Sequence, residues 1–519
     1  MKDKVVSNAV SRNRSMRGRR QMASSDLSRR ELLQVGAAAL VSGGLLFREA
    51  SAQMRARSTH VKNIIFMVSD GMSMGVPSMA EPFSLMARGK GTRWFQLLQD
   101  PEAVVGLFET RSLDSLVTDS SAASSAWGSG SRVFNGAVNV LPDGTKLTPI
   151  AQLMKRAGKR VGLVTTTTIT HATPAGFAAV HPSRDDEQTI ATQYLDVVDV
   201  LLGGGRRFFD AAQRADKRDL IAEYRQKGYT FWEKREQVTG RDRPEKVLGL
   251  FWPGHVPFTI DHKNDLQVWA QVPTLAEMSR AALEILSRSP KGFLLQIEGG
   301  RVDHAAHAND PAAILWDQLA FDDAVAVAVD FVRRHPDTLL IITSDHGNSN
   351  PGLNGMGEEY RDSTKCLERV TQAKGSYVAI QELLKKAGTP TPDKVREAVH
   401  EVTGVEISRD EAEVIANVAA GKPAPTLNRA HANLTGVMGE VLSNYFGIAW
   451  IGTQHTSDWT LVTALGAGKE MFAGIQPHKE AFHRMLKLSG ISFRNPEMTP
   501  EQAKRYLARA PRVRPVHWA

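Results

Sequence analysis

The chain has 519 residues, with 64 Lys+Arg against 56 Asp+Glu, a formal charge of +8 and a single cysteine. The first 52 residues hold ten basic and four acidic side chains, so that segment carries +6 and the rest about +2. No basic run interleaved with aromatics follows it, which excludes a nucleic-acid-binding surface, and a lone Cys366 excludes an intramolecular disulfide.

Residues 1–52 come first. Arg29 and Arg30 precede a modest apolar run, Leu32 to Phe47, and Ala50-Ser51-Ala52 supplies a small-residue cleavage pattern before Gln53. The segment resembles a twin-arginine signal peptide. Export to the periplasm or beyond by the twin-arginine machinery is therefore expected. The run is too short and too weakly apolar to span a ~30 Å hydrocarbon core, so no stable membrane anchor is expected.

From residue 53 onward, short apolar runs end in small or acidic residues: "NIIFMVSDG", "RVGLVTTTTITHATPAG", "VDVLLGGG", "GFLLQIEGG", "TLLIITSDHG" and "DWTLVTALG". Near-continuous apolar strands of this kind are buried on both faces. Helical patterns lie between them. "PTLAEMSRAALEILSRS" carries Thr274 and Glu277 in capping-box spacing, and a long amphipathic helix begins at Pro311. The alternation predicts an α/β fold, a three-layer αβα sandwich around a central, mostly parallel sheet, over residues 53–519. Residues 355–450, rich in Lys, Glu and Ala, read as a mainly helical insertion within it.

In such sheets a site forms beyond the carboxyl ends of the strands, and the polar clusters of this chain fall at strand ends. In "VTDSSAASSAWGSG" Asp119 is placed to cap a helix starting at Ser120. A serine hydroxyl is a poor nucleophile without a base, a metal or a helix terminus to activate it. The stretch alone thus fits a small-residue helix start as well as a nucleophile. Four other segments offer carboxylate and imidazole ligands for hard and borderline metals: Asp70; Glu298, Asp303 and His307 in "EGGRVDHAAH"; Asp345 and His346; and His455 in "GTQHTSDW".

Together "SDGM", "TDSSAAS…AW", "HATPAG…HPSR", "EGGRVDHAAH", "SDHG" and "QHTS" resemble the alkaline phosphatase family, in the family's order. The resemblance implies a metal-dependent phosphomonoesterase acting through a phosphoserine, with two Zn2+ and one Mg2+, small-molecule phosphate monoesters as substrates and a homodimer as the family's habit. Ser120 falls at the nucleophile, which leaves Ser121, Ser124 and Ser125 as packing residues. Asp303, His307 and His455 match the ligands of one zinc. Asp70, Asp345 and His346 match those of the second, which also binds the Ser120 oxygen. Asp70, Thr173 and Glu298 match the magnesium site, and Arg184 the arginine that holds phosphate. His171 and His304 fall beside the ligands, where the family varies between histidine and Asp or Lys, and they leave the third metal open between Mg2+ and Zn2+.

Two other readings compete. A phosphodiesterase of the same superfamily needs extra groups for its second ester; the sulfatase signature C/S-x-P-x-R does not surround Ser120. A non-catalytic exported metal- or phosphate-binding protein is expected to have lost a ligand or the serine, and none is missing here.

Overall fold

Ten strands form one sheet, and three central ones, Asn63–Ser69, Phe293–Gly299 and Thr338–Thr343, are buried along their whole length. The computed structural model describes residues 61–511; the signal-peptide reading falls on residues outside them. The sheet contains β1 (Asn63–Ser69), β2 (Val104–Glu109), β3 (Arg160–Thr168), β4 (Val200–Gly204), β5 (Thr230–Trp232), β6 (Val247–Leu250), β7 (Phe293–Gly299) and β8 (Thr338–Thr343). Four two-residue strands follow: β9 (Gly347–Asn348), β10 (Gly352–Leu353), β11 (Ile448–Ala449) and β12 (His455–Thr456). The large sheet is completed by β13 (Thr460–Gly466) and β14 (Gly474–Pro477), in the order β14-β2-β13-β8-β1-β7-β3-β4-β6-β5. Within this large sheet every pairing is parallel except the two made by β13, which runs against both β8 and β2.

Alternate residues of one strand feed two separate apolar layers. In β1, Ile65 and Met67 join one, while Ile64, Phe66 and Val68 join the other; in β8, Leu340 and Ile342 oppose Leu339 and Ile341 in the same way. Helices cover both faces, which makes the predicted three-layer α/β sandwich. The first layer receives helices Gly75–Arg88, Leu275–Leu286 and Pro311–Arg334. The last of these starts on Asp310, whose carboxylate accepts from the amides of Ala312 and Ala313, with Pro311 in the first turn where its missing N–H costs nothing. The second layer receives Ile150–Arg156, Ala172–Ala178, Glu480–Leu488 and Trp127 of the helix Ser120–Ser129.

That serine-rich helix is small for a reason of packing. A Cβ on Gly176 of the neighbouring helix would lie 2.1 Å from Ser124 Oγ, so the two backbones approach as closely as they do only with small residues on both sides. Ser124 Oγ donates to the carbonyl of Ala172 at 2.8 Å, and Ser125 Oγ accepts from the Asn139 amide at 2.9 Å.

Residues 355–450 carry the helices Ser363–Val370, Tyr377–Ala387, Pro392–Thr403, Arg409–Ala419 and Leu434–Phe446. Their base is closed by two antiparallel ladders: Gly352 pairs with Ala449 and Leu353 with Ile448, then Asn348 pairs with His455 and Gly347 with Thr456. Asp310 and Asp261 clamp one entry to this region. Asp310 Oδ2 accepts from the Tyr377 amide at 2.6 Å, and Asp261 accepts from the amide and hydroxyl of Ser376, both at 2.7 Å. Among the described residues no helix is long and apolar enough to cross a membrane.

Candidate active site

Strands β8, β1, β7 and β3 are neighbours at the centre of the sheet, and the segments beyond their carboxyl ends build the site. Asp70 follows β1. Glu298 ends β7, and the next helix, Arg301–His307, brings Asp303 and His307 onto one face, four residues apart. Asp345 and His346 follow β8, while His171 and Thr173 follow β3. His455 opens the short strand β12 and precedes β13, rather than following a strand of the large sheet. It reaches the same edge because the β9–β12 ladder returns the chain there and β13 then runs in the opposite sense. A turn at Gly71 (φ +65°) completes the first segment, and a Cβ there would lie 2.4 Å from Asp303 Oδ1; "SDG" therefore requires its glycine.

Three groups of donors converge, each with its ligand atoms within 4.8 Å of one another: Asp303, His307 and His455; Asp70, Asp303 and His346; and Asp70, His171 and Glu298. In the first, His307 Nε2 lies 3.1 Å from His455 Nε2 and 3.4 Å from Asp303 Oδ2. The Nδ1 atoms of both imidazoles face carbonyls, His307 that of Thr453 at 2.7 Å and His455 that of Thr118 at 2.9 Å. Each Nδ1 must therefore donate, which leaves two Nε2 lone pairs pointing at each other. A cation between them suits that arrangement.

In the second group His346 Nδ1 faces the carbonyl of Gly347 at 3.2 Å. Its Nε2 lies 3.0 Å from Asp345 Oδ2, 3.7 Å from Asp70 Oδ1 and 3.2 Å from Ser120 Oγ. Asp345 is anchored by its other oxygen, which accepts from the amides of Gly71 and His346.

The third group differs from the expected trio by including His171. The Thr173 hydroxyl is also there, donating to Asp70 Oδ2 at 3.2 Å. His171 Nε2 accepts from Arg184 Nη2 at 3.0 Å, so its hydrogen sits on Nδ1, the nitrogen 3.9 Å from Glu298 Oε1. A ring so committed has no lone pair for a metal, and the usable donors there are the oxygens of Asp70, Glu298 and Thr173. Glu298 is held at Oε2 by the hydroxyls of Thr165 and Thr167.

Asp70, Glu298, Asp303 and Asp345 are all buried. Asp70 Oδ1 and Glu298 Oε1 have no protein hydrogen-bond partner. Burial, followed by the charges of Asp345, Asp303 and Glu298, raises the Asp70 carboxyl well above the ordinary carboxylate range. Burial also works to raise Asp303, but His307, His455 and His346 together hold it well below that range. Buried carboxylates crowded in this way need cations, and the donor chemistry fits divalent metals: imidazole with carboxylate in the first two groups, oxygen alone in the third.

Ser120 is the first residue of its helix, and Asp119 caps it by accepting from the Ala122 amide at 2.8 Å. The same carboxylate accepts from Arg184 Nη1 at 3.1 Å, from the Gly136 amide at 3.0 Å and twice from Ser121 Oγ. Arg184 is thus tied to Asp119 and His171, beside the serine; Asp186 instead caps the helix Glu187–Gln193 and lies 3.3 Å from His181 Nε2.

The sequence model of the alkaline phosphatase family matches residues 61–491. The chain belongs to the alkaline phosphatase family. It is similar to Thermus thermophilus alkaline phosphatase, whose crystal structure shares 36% identity at a TM-score of 0.81 over 87% of this chain and 96% of that one. The cold-active alkaline phosphatase of a psychrophilic Shewanella sp. follows at 27% identity and 0.68, covering 82% and 99%. Alkaline phosphatase 4 of Bacillus subtilis is 28% identical over 88% of this chain and 96% of its own length. The protein is accordingly an alkaline phosphatase, a hydrolase of phosphate monoesters with a metal-binding site.

Several residues around this phosphatase site escape motif reasoning. Asp119 appears in the sequence only as a helix cap, yet it also holds Arg184. Asn348 donates to Asp303 Oδ1 at 2.7 Å. His304, buried at the predicted place, packs with His171 and with His255, which no motif contains. Burial pushes the imidazoles of both His255 and His304 well below their ordinary value. Only the apolar loop "FWPGHVPF" after β6 could have hinted at His255.

Proposed function

We propose that this alkaline phosphatase works through a phosphoserine on Ser120. The observation that carries the reading is the placement of Ser120 Oγ 3.2 Å from His346 Nε2, at a helix N-terminus, with Arg184 pinned alongside by Asp119. Arg184 offers a planar fork to two nonbridging phosphoryl oxygens. The helix N-terminus favours negative charge on Ser120 Oγ. The Ser120 oxygen attacks phosphorus in line and the ester oxygen leaves as the alcohol. Water then attacks the phosphoserine, releasing inorganic phosphate and restoring the hydroxyl. Asp303, His307 and His455 would hold one zinc, Asp70, Asp345 and His346 a second, and Asp70, Thr173 and Glu298 a magnesium. When bound, such ions lower the pKa of an attached oxygen and neutralise charge on the attacking and leaving oxygens. Recognition centred on the phosphoryl group supports broad monoester specificity.

The test is to quench turnover of an aryl phosphate in acid and map the trapped phosphate by mass spectrometry. Label on Ser120 is expected; label on Ser121 or Ser124 overturns the assignment. For residues 1–52 we propose twin-arginine export. Changing Arg29 and Arg30 together to Lys is expected to leave the precursor in the cytoplasm, and an undiminished periplasmic fraction would argue for another route.

A further inference from the structure

Six imidazoles surround the site, and each has one nitrogen committed to a partner of fixed polarity. His307, His346 and His455 turn Nδ1 to carbonyls and aim Nε2 at the carboxylates of the site or at one another. The other three are committed the opposite way. A guanidinium only donates, so His171 Nε2 accepts from Arg184, and His304 Nδ1 accepts from Arg301 Nη1 at 2.7 Å. His255 Nδ1 accepts from the amide of Thr168 at 3.1 Å. His255 and His304 therefore carry their hydrogens on Nε2.

These three rings pack edge to face. Centroids are 4.5 Å apart for His255 and His304, 5.5 Å for His171 and His255, and 5.5 Å for His171 and His304. Three histidines so close suggest a metal site. Among the described residues the three do not converge as one donor group; only His171 belongs to any, with Asp70 and Glu298, and their tautomers oppose a shared metal.

One of the three, His304, is tied directly to Arg301. That arginine occupies the first turn of the helix Arg301–His307, is buried, and lies over the Phe258 ring at 3.8 Å. It also lines a cavity of about 570 Å³ between the loop bearing Trp252 and His255 and the segment bearing Lys374 and Val378.

We propose that Arg301 is a positioning residue for phosphate binding. Its hydrogen bond fixes the tautomer and plane of His304. His304 and His255 together hold the His171 ring edge-on, and His171 presents to Arg184 Nη2 the lone pair that, with Asp119 on Nη1, sets the guanidinium fork. The inference rests on the reading of Arg184 as the phosphate ligand. Without Arg301, His304 is no longer confined to one tautomer, the packed rings lose their register, and one of the two partners that aim Arg184 is lost.

The experiment uses the full chain with its metals, Arg301→Met and Arg301→Lys, inorganic phosphate as the probe, and selective 15N-histidine labelling. Arg301→Met is expected to bind inorganic phosphate about three- to thirtyfold more weakly. The 15N signature of His304, assigned with His304→Gln, is expected to change from a pure Nε2–H tautomer to a mixture. Arg301→Lys, which keeps a donor, recovers part of both. A folded Arg301→Met variant with unchanged phosphate affinity and an unchanged His304 signature overturns the proposal. If Arg301→Met does not fold, His255→Phe keeps a ring of similar size and removes the acceptor for Thr168. Weaker phosphate binding is expected there too, and unchanged binding overturns the proposal. Arg184→Ala separates the premise from the inference: if it binds phosphate as tightly as the parent, the assignment of Arg184 fails, whatever Arg301 does.

Discussion

The two ends of the site solve the same problem with different atoms. At one end Asp303, His307 and His455 offer two imidazole nitrogens and a carboxylate; at the other Asp70, Glu298 and Thr173 offer only oxygen, although His171 stands within reach. The partners behind the donors make the difference. Carbonyls of Thr453 and Thr118 hold His307 and His455 with their lone pairs inward, whereas Arg184 occupies the nitrogen of His171 that would otherwise be free. An imidazole is a ligand only when its other nitrogen has something to donate to, so residue type alone does not define a metal site.

Ser120 lies where the two ends meet, and its removal gives the largest expected effect. Ser120→Ala should lower turnover of an aryl phosphate by about three orders of magnitude or more, with metal content per chain unchanged at both ends. A loss of bound metal alongside activity would mean that the two ends are not independent of the serine.

His455→Ala breaks the nitrogen-rich end alone. The expected outcome is loss of one zinc per chain, an affinity at that end weakened about 100-fold or more, retained magnesium, and partial recovery of turnover at high added Zn2+ by mass action. Unchanged zinc and unchanged turnover would remove His455 from the site.

The converse variant is Glu298→Gln. It should weaken Mg2+ dependence and lower turnover by about tenfold while zinc per chain stays constant, as read by elemental analysis and by activity titrated with Mg2+. Zinc filling the emptied end would show that His171 is able to release Arg184 and ligate.

Much of this was legible in the sequence. Ligands that follow a strand sit close to one another along the chain, which is why "SDG", "EGGRVDHAAH" and "SDHG" could be placed at one sheet edge from apolar runs and spacing. The long helix from Pro311 and the Thr274–Glu277 capping box were equally local. What periodicity could not supply is pairing at a distance. The Arg184–Asp119 contact spans 65 residues, a separation no local pattern encodes. The return of His455 depends on two ladders of only two residues each, too short to leave a strand pattern. His255 acts through ring packing, which carries no motif.

The smallest expected effect concerns Ser121, whose expected role was packing alone. Its hydroxyl donates to both oxygens of Asp119, at 2.9 and 2.7 Å, so Ser121→Ala should loosen the Asp119–Arg184 pair and weaken competitive inhibition by inorganic phosphate about two- to fivefold. No change in the inhibition constant would return Ser121 to a purely steric part.

The paired ladders β9–β12 and β10–β11 set the order in which the molecule can be assembled. A ribosome delivers Asp70 early and His455 almost four hundred residues later, and His455 reaches Asp303 through ladders whose halves flank the helices of residues 355–450. Contacts of such long sequence separation form late, because the chain entropy of closing the loop is lost before the contact repays it. The cluster of Asp303, His307 and His455 is therefore expected to be the last part of the site to close: a chain truncated before residue 455 lacks one of its three donors.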